Sequence, residues 1–282
     1  MAQKKTIIDF IKMKRTGEQV TWITAYDFPM ASFAEQAGMD MILVGDSLGM
    51  VVLGYSGTNP VTMDDCISHC QAVRRGAPNT FIVGDMPFGS YQVSDEDAVA
   101  NACRFLKEAQ TDCIKLEGGV RVKSRIRSIT DAGIAVIGHI GLTPQSSGQL
   151  GGFKAQGRDV ASAEALIEDA VAVQEAGAFS ILVEAVPPEL TAFLRKFLKI
   201  PVYSIGAGVA DGQLVICGDM LGLFQAFTPK FVKKYANVAE VEINAFKAYV
   251  EDVKSEKFPS DEYVYHILDP VEKFEELFKK YL

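Results

Sequence analysis

The feature that most constrains the fold of this chain is a short apolar run that recurs along it, each time ended by a polar or charged residue. Met41 to Ser47 shows the pattern most clearly, with four apolar residues, a glycine, and then Asp46 and Ser47. A continuous apolar run of this length is typical of a strand that is covered on both faces, as in a parallel sheet wrapped by helices. The polar pair then lies at the carboxyl end of the strand, where α/β folds place their active sites.

The pattern predicts eight strands, and a helical pattern ending in a small residue or glycine precedes most of them. The predicted strands are residues 20–24, 41–45, 80–84, 113–117, 135–139, 179–184, 202–206 and 214–219. Eight strands that alternate with helices favour a single (β/α)8 TIM barrel. The alternative is a doubly wound open sheet, which usually needs fewer strands.

Helical patterns fill the segments around these strands. Ile7, Phe10 and Ile11 predict an N-terminal helix that closes one end of the fold, Ser94 is a candidate N-cap, and another helix begins at about Ser162. Extra C-terminal helices are predicted from about residue 228, at 230–235, 238–254 and 271–281, as a cover or a subunit contact. We therefore expect one barrel domain over residues 1–282 with a helical extension. Two long connections, 48–63 and 140–160, are candidate walls of the barrel mouth.

Composition narrows the possible partners. The 282 residues carry a net charge of −8 and contain no basic cluster, which argues against nucleic acid or an anionic membrane as the main partner. No apolar run reaches the length of a membrane span, and residues 1–20 are interrupted by lysines and an arginine, so no hydrophobic signal core is expected there. A small-molecule substrate and a cytoplasmic location are expected. The five cysteines are odd in number and lie within apolar or helical patterns, so we expect free thiols.

Two aspartates at neighbouring strand ends suggest a cation site. Asp46 follows the second predicted strand and Asp85 follows the third, and adjacent strands lie about 4.8 Å apart. Two carboxylates with the Ser47 hydroxyl nearby are hard oxygen ligands, which suit Mg²⁺ or Mn²⁺. The alternative is that one of the aspartates only caps the following helix.

Three further charged residues lie on predicted strands. Lys115 and Glu117 alternate with apolar neighbours and should point into the barrel together, where a lysine needs an anion or a carboxylate beside it. Lys115 could bind a carboxylate or enolate, act as a Schiff-base nucleophile, or form a structural ion pair with Glu117. Glu184 ends an apolar strand, where it could be a general base or a helix cap.

Other signals are weaker. His139 could be an acid, but a hydrogen-bonding contact or a core histidine is favoured. Gly206 and Gly208 form an isolated Gly-x-Gly, which is poor evidence for a phosphate site. Cys66, His69 and Cys70 share a helix, yet the remaining ligands of a zinc site are missing.

Several segments together resemble the ketopantoate hydroxymethyltransferase (3-methyl-2-oxobutanoate hydroxymethyltransferase) family. The resemblance covers about residues 5 to 260. Its most specific segments are Gly-Asp-Ser-Leu-Gly-Met at 45–50 and Gly-His-Ile-Gly-Leu-Thr-Pro-Gln at 138–145. Others are Gly-Asp-Met-Pro-Phe-Gly-Ser-Tyr at 84–91, Lys-Leu-Glu-Gly-Gly at 115–119 and Glu-Ala-Val-Pro at 184–187.

The resemblance implies a barrel of the phosphoenolpyruvate/pyruvate-binding type, usually assembled as a large homo-oligomer. The implied reaction transfers a hydroxymethyl group from 5,10-methylenetetrahydrofolate to 3-methyl-2-oxobutanoate, giving 2-dehydropantoate for pantothenate biosynthesis. It assigns Asp46, Asp85 and Glu117 to Mg²⁺, with Glu117 acting through water. Asp46, Ser47, Asp85 and Lys115 would hold the keto acid, and Glu184 would be the catalytic base. The chain departs from the family pattern at Asn59 and Ser204, where we expect any change in folate contacts.

Two other functions remain open at this stage. The same barrel and metal could serve a C–C lyase, although such lyases often use a loop cysteine and the loop after strand five has none. A non-catalytic scaffold is the other alternative, and the intact set of Asp46, Asp85, Lys115 and Glu184 argues against it.

Overall fold

The structure is a computed structural model that describes residues 4–282. Eight parallel strands form a closed barrel in chain order, and the last strand pairs with the first. The strands are β1 (Val20–Thr24), β2 (Met41–Val44), β3 (Phe81–Asp85), β4 (Cys113–Glu117), β5 (Val136–Gly141), β6 (Ser180–Glu184), β7 (Val202–Ile205) and β8 (Gly212–Val215). The prediction of a (β/α)8 barrel is confirmed, and the open-sheet alternative is wrong.

Helices connect and flank the strands. They are α1 (Ile7–Thr16), α2 (Phe28–Gln36), α3 (Leu48–Val51), α4 (Met63–Gly76), α5 (Asp95–Glu108), α6 (Lys123–Asp131), α7 (Ser147–Leu150), α8 (Val160–Glu175), α9 (Pro188–Phe197), α10 (Cys217–Met220), α11 (Val238–Lys254) and α12 (Val271–Phe278). As predicted, Ser94 caps α5, because its side chain accepts a hydrogen bond from the Asp97 backbone N–H. α8 begins two residues earlier than expected, since Asp159 rather than Ser162 is its N-cap.

The N-terminal helix closes the end of the barrel at which the strands begin. Phe10 of α1 is fully buried against Phe81, the first residue of β3, with ring centroids 5.0 Å apart. Trp22 and Tyr203 pack edge to face in the same interior cluster, at 5.6 Å. Because large side chains fill this half of the barrel, the opposite mouth is where a ligand can enter.

Strand glycines allow the helices to pack closely on the outside of the barrel. A Cβ added to Gly84 of β3 would lie 2.4 Å from the ring of Phe105 in α5. A Cβ on Gly138 of β5 would lie equally close to Val173 of α8. These contacts hold the ends of β3 and β5, which carry polar residues, in fixed positions.

Two predicted elements are wrong. β8 was expected at 214–219, but it begins at Gly212 and ends at Val215, and residues 217–220 form α10. The ladder ends there because the Cys217 N–H donates to the Thr24 hydroxyl at 3.0 Å. Residues 230–235 are not helical, since the Tyr235 N–H donates to the Met220 carbonyl oxygen and folds this segment back.

The chain divides into two compact units, Met1–Tyr235 and Ala236–Leu282. The second unit contains α11, a short 3₁₀ turn at Asp261–Tyr263, and α12. Many of its large apolar side chains are exposed, among them Val241, Phe246, Tyr249 and Leu268. No helix within residues 4–282 is both long and apolar enough to cross a membrane. The prediction of a single domain with a C-terminal extension stays a prediction.

Candidate active site

A cavity of about 860 Å³ opens at the carboxyl ends of the strands. Its lining includes every residue that the sequence marked as a site candidate: Asp46, Ser47, Asp85, Lys115, Glu117 and Glu184. These side chains come from β2, β3, β4 and β6 or the turns that follow them. The residues that strand-end reasoning collected therefore line one cavity, because parallel strands all end at the same mouth, and their roles stay a prediction.

Strand register brings Asp85 and Lys115 together. The two residues are direct partners in the β3–β4 ladder, and Lys115 Nζ lies 2.6 Å from Asp85 Oδ1 with both side chains buried. Burial raises the pKa of Asp85 to about 6, although the charge of Lys115 opposes this. Burial alone would lower the pKa of Lys115, but Asp85 and Glu117 outweigh it and raise that pKa. Lys115 is therefore a charged ammonium on the cavity floor.

Asp46 and Asp85 are close neighbours, as the sequence predicted. The backbone N–H of Asp46 donates to Asp85 Oδ2 at 3.0 Å. Burial raises the pKa of Asp46, and the nearby charge of Glu117 adds to the effect. Neither aspartate is the N-cap residue of a helix, so the helix-cap alternative is wrong for both.

Gln145 links the carboxylates, and sequence reasoning gave it no role. Its side-chain amide donates to Asp46 Oδ2 at 2.8 Å and to the Met86 carbonyl oxygen at 2.9 Å. Its backbone N–H donates to Glu117 Oε2 at 3.0 Å. Gln145 is only 3% exposed although it lies in the long connection after β5. The only sequence signal for it was its place at the end of the Gly-His-Ile-Gly-Leu-Thr-Pro-Gln segment.

Tyr91 completes this network from the connection after β3. Its hydroxyl donates to Gln145 Oε1 at 2.6 Å and accepts from the Glu117 backbone N–H at 3.1 Å. Tyr91 is buried and is not among the residues that line the cavity at the strand ends. The side-chain amide of Gln145 is thus fixed with its NH₂ group toward Asp46.

His139 lies between two glutamates on the cavity floor. Its Nδ1 is 3.5 Å from Glu117 Oε1 and its Nε2 is 3.2 Å from Glu184 Oε2, although neither contact has hydrogen-bond geometry. Burial and Lys115 would lower the pKa of His139, but Glu117 and Glu184 prevail and raise it to about 9. His139 is therefore a buried imidazole between two carboxylates, and the hydrogen-bonding contact favoured from the sequence stays a prediction.

The backbone of Glu184 is held by the connection after β5. The Leu142 N–H donates to the Glu184 carbonyl oxygen at 2.9 Å, and a Cβ on Gly141 would lie 2.3 Å from that oxygen. The Glu184 side chain remains 14% exposed and reaches the cavity. A carboxylate on a fixed backbone with access to the cavity is suited to proton transfer.

Ser47 also faces the cavity, and its Oγ lies 2.8 Å from the Tyr26 hydroxyl.

Ser204, by contrast, is not part of the lining. Its hydroxyl donates to the Gly208 carbonyl oxygen at 2.8 Å and stabilises the glycine turn after β7. Asn59 lines a separate pocket of about 360 Å³. Among the proposed zinc ligands, His69 Nδ1 is engaged with the Tyr26 carbonyl oxygen at 2.5 Å, and Cys66 and Cys70 are buried free thiols.

The donor set suits a hard divalent cation. Asp46, Asp85 and Glu117 are buried oxygen donors around the Lys115 ammonium, and Glu117 Oε1 has no hydrogen-bond partner among the residues that the structure describes. Four carboxylates, Glu184 included, against Lys115 and His139 leave excess negative charge that a cation would offset. Within residues 4–282, no three His, Cys, Asp or Glu side chains already surround one point. The carboxylates would therefore have to turn from Lys115 and Gln145 toward the ion.

Sequence comparisons identify close relatives. The sequence model of the family "Ketopantoate hydroxymethyltransferase" matches residues 4–261. A 3-methyl-2-oxobutanoate hydroxymethyltransferase from Alkaliphilus metalliredigens (strain QYMF) is 77% identical over 281 residues. The alignment covers 100% of this chain and 100% of the relative. The protein of the same name from Bacillus subtilis (strain 168) is 52% identical, with 93% of this chain and 95% of the relative covered.

Comparison of the folds finds similar barrels at low sequence identity. A phosphonopyruvate hydrolase solved with oxalate and Mg²⁺ superposes with a TM-score of 0.59 at 13% identity, covering 98% of both chains. A 2,3-dimethylmalate lyase, described as a member of the PEP mutase/isocitrate lyase superfamily, gives a TM-score of 0.58 at 14% identity. It covers 99% of this chain and 98% of the lyase. These similarities agree with the barrel type expected from the sequence.

Proposed function

The chain belongs to the ketopantoate hydroxymethyltransferase family, and we propose that Glu184 and the charged cluster facing it in the barrel mouth carry out its reaction. It is an enzyme that transfers a hydroxymethyl group to 3-methyl-2-oxobutanoate, the reaction for which its relatives are named. The observation that supports the mechanism is the placement of one accessible carboxylate, Glu184, in the same cavity as Asp46, Asp85 and Lys115.

Glu184 is the base in this proposal. It removes the proton from C3 of the keto acid, and the electron pair left on C3 delocalises toward the keto oxygen. General base catalysis of this kind typically contributes about 10² to 10⁴ in rate. His139, whose Nε2 is 3.2 Å from Glu184 Oε2, places positive charge beside this carboxylate when it is protonated.

Lys115, Ser47 and the aspartates bind the keto acid. The Lys115 ammonium is buried beside the carboxylates of Asp85 and Glu117, so it places positive charge where the keto acid becomes an enolate. Ser47 offers a hydroxyl at the edge of the same floor. Asp46 and Asp85, with Glu117 through water, would hold Mg²⁺, which when bound supplies positive charge to the carboxylate and keto oxygens of the substrate.

The one-carbon donor in this proposal is 5,10-methylenetetrahydrofolate. Water adds to the methylene carbon, and both carbon–nitrogen bonds of that carbon break with their electron pairs returning to N5 and N10, which take up the two protons of the water. The carbon is released at the level of formaldehyde, C3 of the enolate forms a bond to it, and its oxygen takes up the proton that Glu184 removed. The products are therefore 2-dehydropantoate and tetrahydrofolate. The partners are thus a keto acid and a folate rather than nucleic acid or a membrane, and we place the enzyme in the cytoplasm as a homo-oligomer.

A coupled assay tests this function. Purified protein is incubated with 3-methyl-2-oxobutanoate and 5,10-methylenetetrahydrofolate, and 2-dehydropantoate is quantified by mass spectrometry with Mg²⁺ and with EDTA. We expect product that depends on both the donor and Mg²⁺. Product formation that is unchanged in EDTA would remove the metal from the proposal, and no product under any condition would remove the folate-dependent transfer.

The C–C lyase alternative has only the fold in its favour. The solved lyase and hydrolase with similar barrels are 13–14% identical to this chain, whereas hydroxymethyltransferases are 49–77% identical. At such low identity a shared barrel does not imply shared chemistry.

A further inference from the structure

The cavity is much larger than the keto acid needs. Pockets for drug-sized ligands measure about 300 to 1,000 Å³, and this cavity of about 860 Å³ lies near the upper limit. The charged floor described above comes from β2 to β6, whereas most of the remaining lining comes from the segments after β5, β6, β7 and β8. That second part has room for a larger ligand, and its chemistry differs from that of the floor.

Asp219 is a buried carboxylate in this second part of the cavity. It lies in α10, directly after β8, lines the cavity and is 5% exposed. Across residues 4–282, no group forms a hydrogen bond or a close ion pair with its carboxylate, so both oxygens are available to a ligand. Burial raises the pKa of Asp219 to about 6, with a smaller opposing effect from Lys234. A buried, unpaired acceptor facing a cavity is costly unless a ligand satisfies it.

Aromatic side chains surround the space next to Asp219. Phe224 and Phe227 follow α10 and pack edge to face with ring centroids 5.6 Å apart, and both line the cavity. Phe231 is held over Gly206, where a Cβ would lie 2.5 Å from its ring. Phe153 lines the cavity from the connection after β5 and is half exposed. Such walls favour a flat conjugated ring, which stacks or packs edge to face against them.

Cationic side chains lie at the rim of the same region. Lys154, Arg158 and Lys230 line the cavity and are exposed. Within the described part of the chain none of the three has an ion-pair partner, in contrast to Lys115 on the floor. Unpaired cations around an apolar cavity attract a ligand that carries carboxylates on its outer end.

We propose that the Asp219 carboxylate, the Phe224–Phe227–Phe231 wall and the rim cations together form the binding site of the one-carbon donor. Asp219 accepts two hydrogen bonds from the adjacent N–H and NH₂ groups of the 2-amino-4-oxopyrimidine ring. The phenylalanines contact the faces and edges of the pterin, and Lys154, Arg158 and Lys230 attract the glutamate carboxylates. This inference rests on the proposed function, since it identifies where the folate of that reaction binds.

The Asp219→Asn variant tests the proposal by separating the two substrates. The asparagine keeps one acceptor oxygen but turns an NH₂ group toward the donors of the pterin. Loss of a charged hydrogen-bonding partner costs roughly 10- to 100-fold in affinity, so we expect the KM for 5,10-methylenetetrahydrofolate to rise by that factor. Exchange of the C3 proton of the keto acid in D₂O, measured by NMR without folate, should continue, which also shows that the variant is folded.

Two further variants complete the test. Asp131→Asn changes an exposed aspartate at the end of α6, at the opposite end of the barrel, and its folate KM should equal that of the wild type. Phe227→Ala removes a half-exposed ring that is not part of the buried core, and should raise the dissociation constant of tetrahydrofolate roughly fivefold or more by calorimetry.

The outcomes test the donor site separately from the proposed function. Wild-type protein that makes product, together with Asp219→Asn and Phe227→Ala variants of unchanged folate affinity, would overturn the donor site and leave the proposed function intact. If Asp219→Asn lowers C3 exchange as much as it lowers transfer, Asp219 acts on the keto acid instead. That result also overturns the donor site. Wild-type protein with no folate-dependent product contradicts the proposed function itself.

Discussion

At the scale of single residues, Gln145 connects two carboxylates of the charged cluster, although sequence patterns assigned it no role. Its amide and backbone N–H reach Asp46 and Glu117, while Tyr91 fixes the orientation of the amide. Strand-end patterns identified the carboxylates because polar residues interrupt apolar runs there. Gln145 and Tyr91 lie in connections, where polar residues are common, so their burial could not be inferred from local pattern.

The Gln145→Ala variant should weaken metal binding more than folding. Groups that orient metal ligands typically contribute 10- to 100-fold in metal affinity, and we expect the Mn²⁺ dissociation constant, measured by electron paramagnetic resonance, to rise within that range. Gln149→Ala is the matched control, because Gln149 is exposed and its side chain accepts a hydrogen bond from Arg121 rather than contacting a carboxylate of the cluster. Equal Mn²⁺ affinity in the two variants would show that Gln145 does not position the ligands.

Removal of the buried Lys115 should lower the free energy of unfolding when no metal is bound. Lys115→Met leaves Asp85 and Glu117 buried without their counter-charge, and breaking such a pair typically costs about 3–5 kcal/mol. Urea unfolding in EDTA measures the change in the free energy of unfolding. The control Lys123→Met breaks an exposed pair with Glu175 and should change that free energy little. Similar values for the two variants would contradict the account of the cavity floor.

At the scale of elements, the position of each strand end is set by packing against the neighbouring helix. Gly84 and Gly138 are strand glycines whose missing side chains make room for Phe105 and Val173. The apolar runs predicted all eight strands because a buried parallel strand reads as a continuous run. The bounds of β8 were not predicted, because they depend on contacts between residues that are far apart in the chain. β8 begins at Gly212, which pairs with Val20 of β1 and Tyr203 of β7.

Substitution of Gly84 tests this packing. Gly84→Ala forces a methyl group against Phe105, and overpacking of this kind typically costs about 1–3 kcal/mol. The free energy of unfolding from urea titration should fall by that amount. Gly148→Ala places the same methyl group in α7 where nothing lies within 4 Å, so it should be neutral or slightly stabilising. Equal destabilisation by both substitutions would mean that the helix contact is not what Gly84 provides.

At the scale of the whole molecule, the barrel and the candidate site were predictable for the same reason. Parallel strands end at one mouth, so the residues that end them meet there even when they are far apart in the chain. The segment 221–235 could not be predicted in this way. Its apolar residues form the wall of a cavity rather than one face of a helix, and only the closed barrel provides that cavity.

The exposed apolar side chains of Ala236–Leu282 support the proposed homo-oligomer. Apolar surface of this extent is unusual in a monomer, and another copy of the chain would cover it. Sedimentation velocity should give a mass several times the 30.7 kDa of one chain. A single species of 30.7 kDa at micromolar concentration would contradict this expectation.

The central claim is that Glu184 removes the C3 proton of the keto acid, and proton exchange measures this step without the folate. 3-Methyl-2-oxobutanoate is incubated with enzyme and Mg²⁺ in D₂O, and loss of the C3 proton signal is followed by NMR. Wild-type enzyme and the control Glu189→Gln, an exposed residue of α9, should exchange the proton at the same rate. Glu184→Gln should lower this rate by about 10² to 10⁴ while Mn²⁺ still binds. Exchange at the wild-type rate in Glu184→Gln would contradict the account.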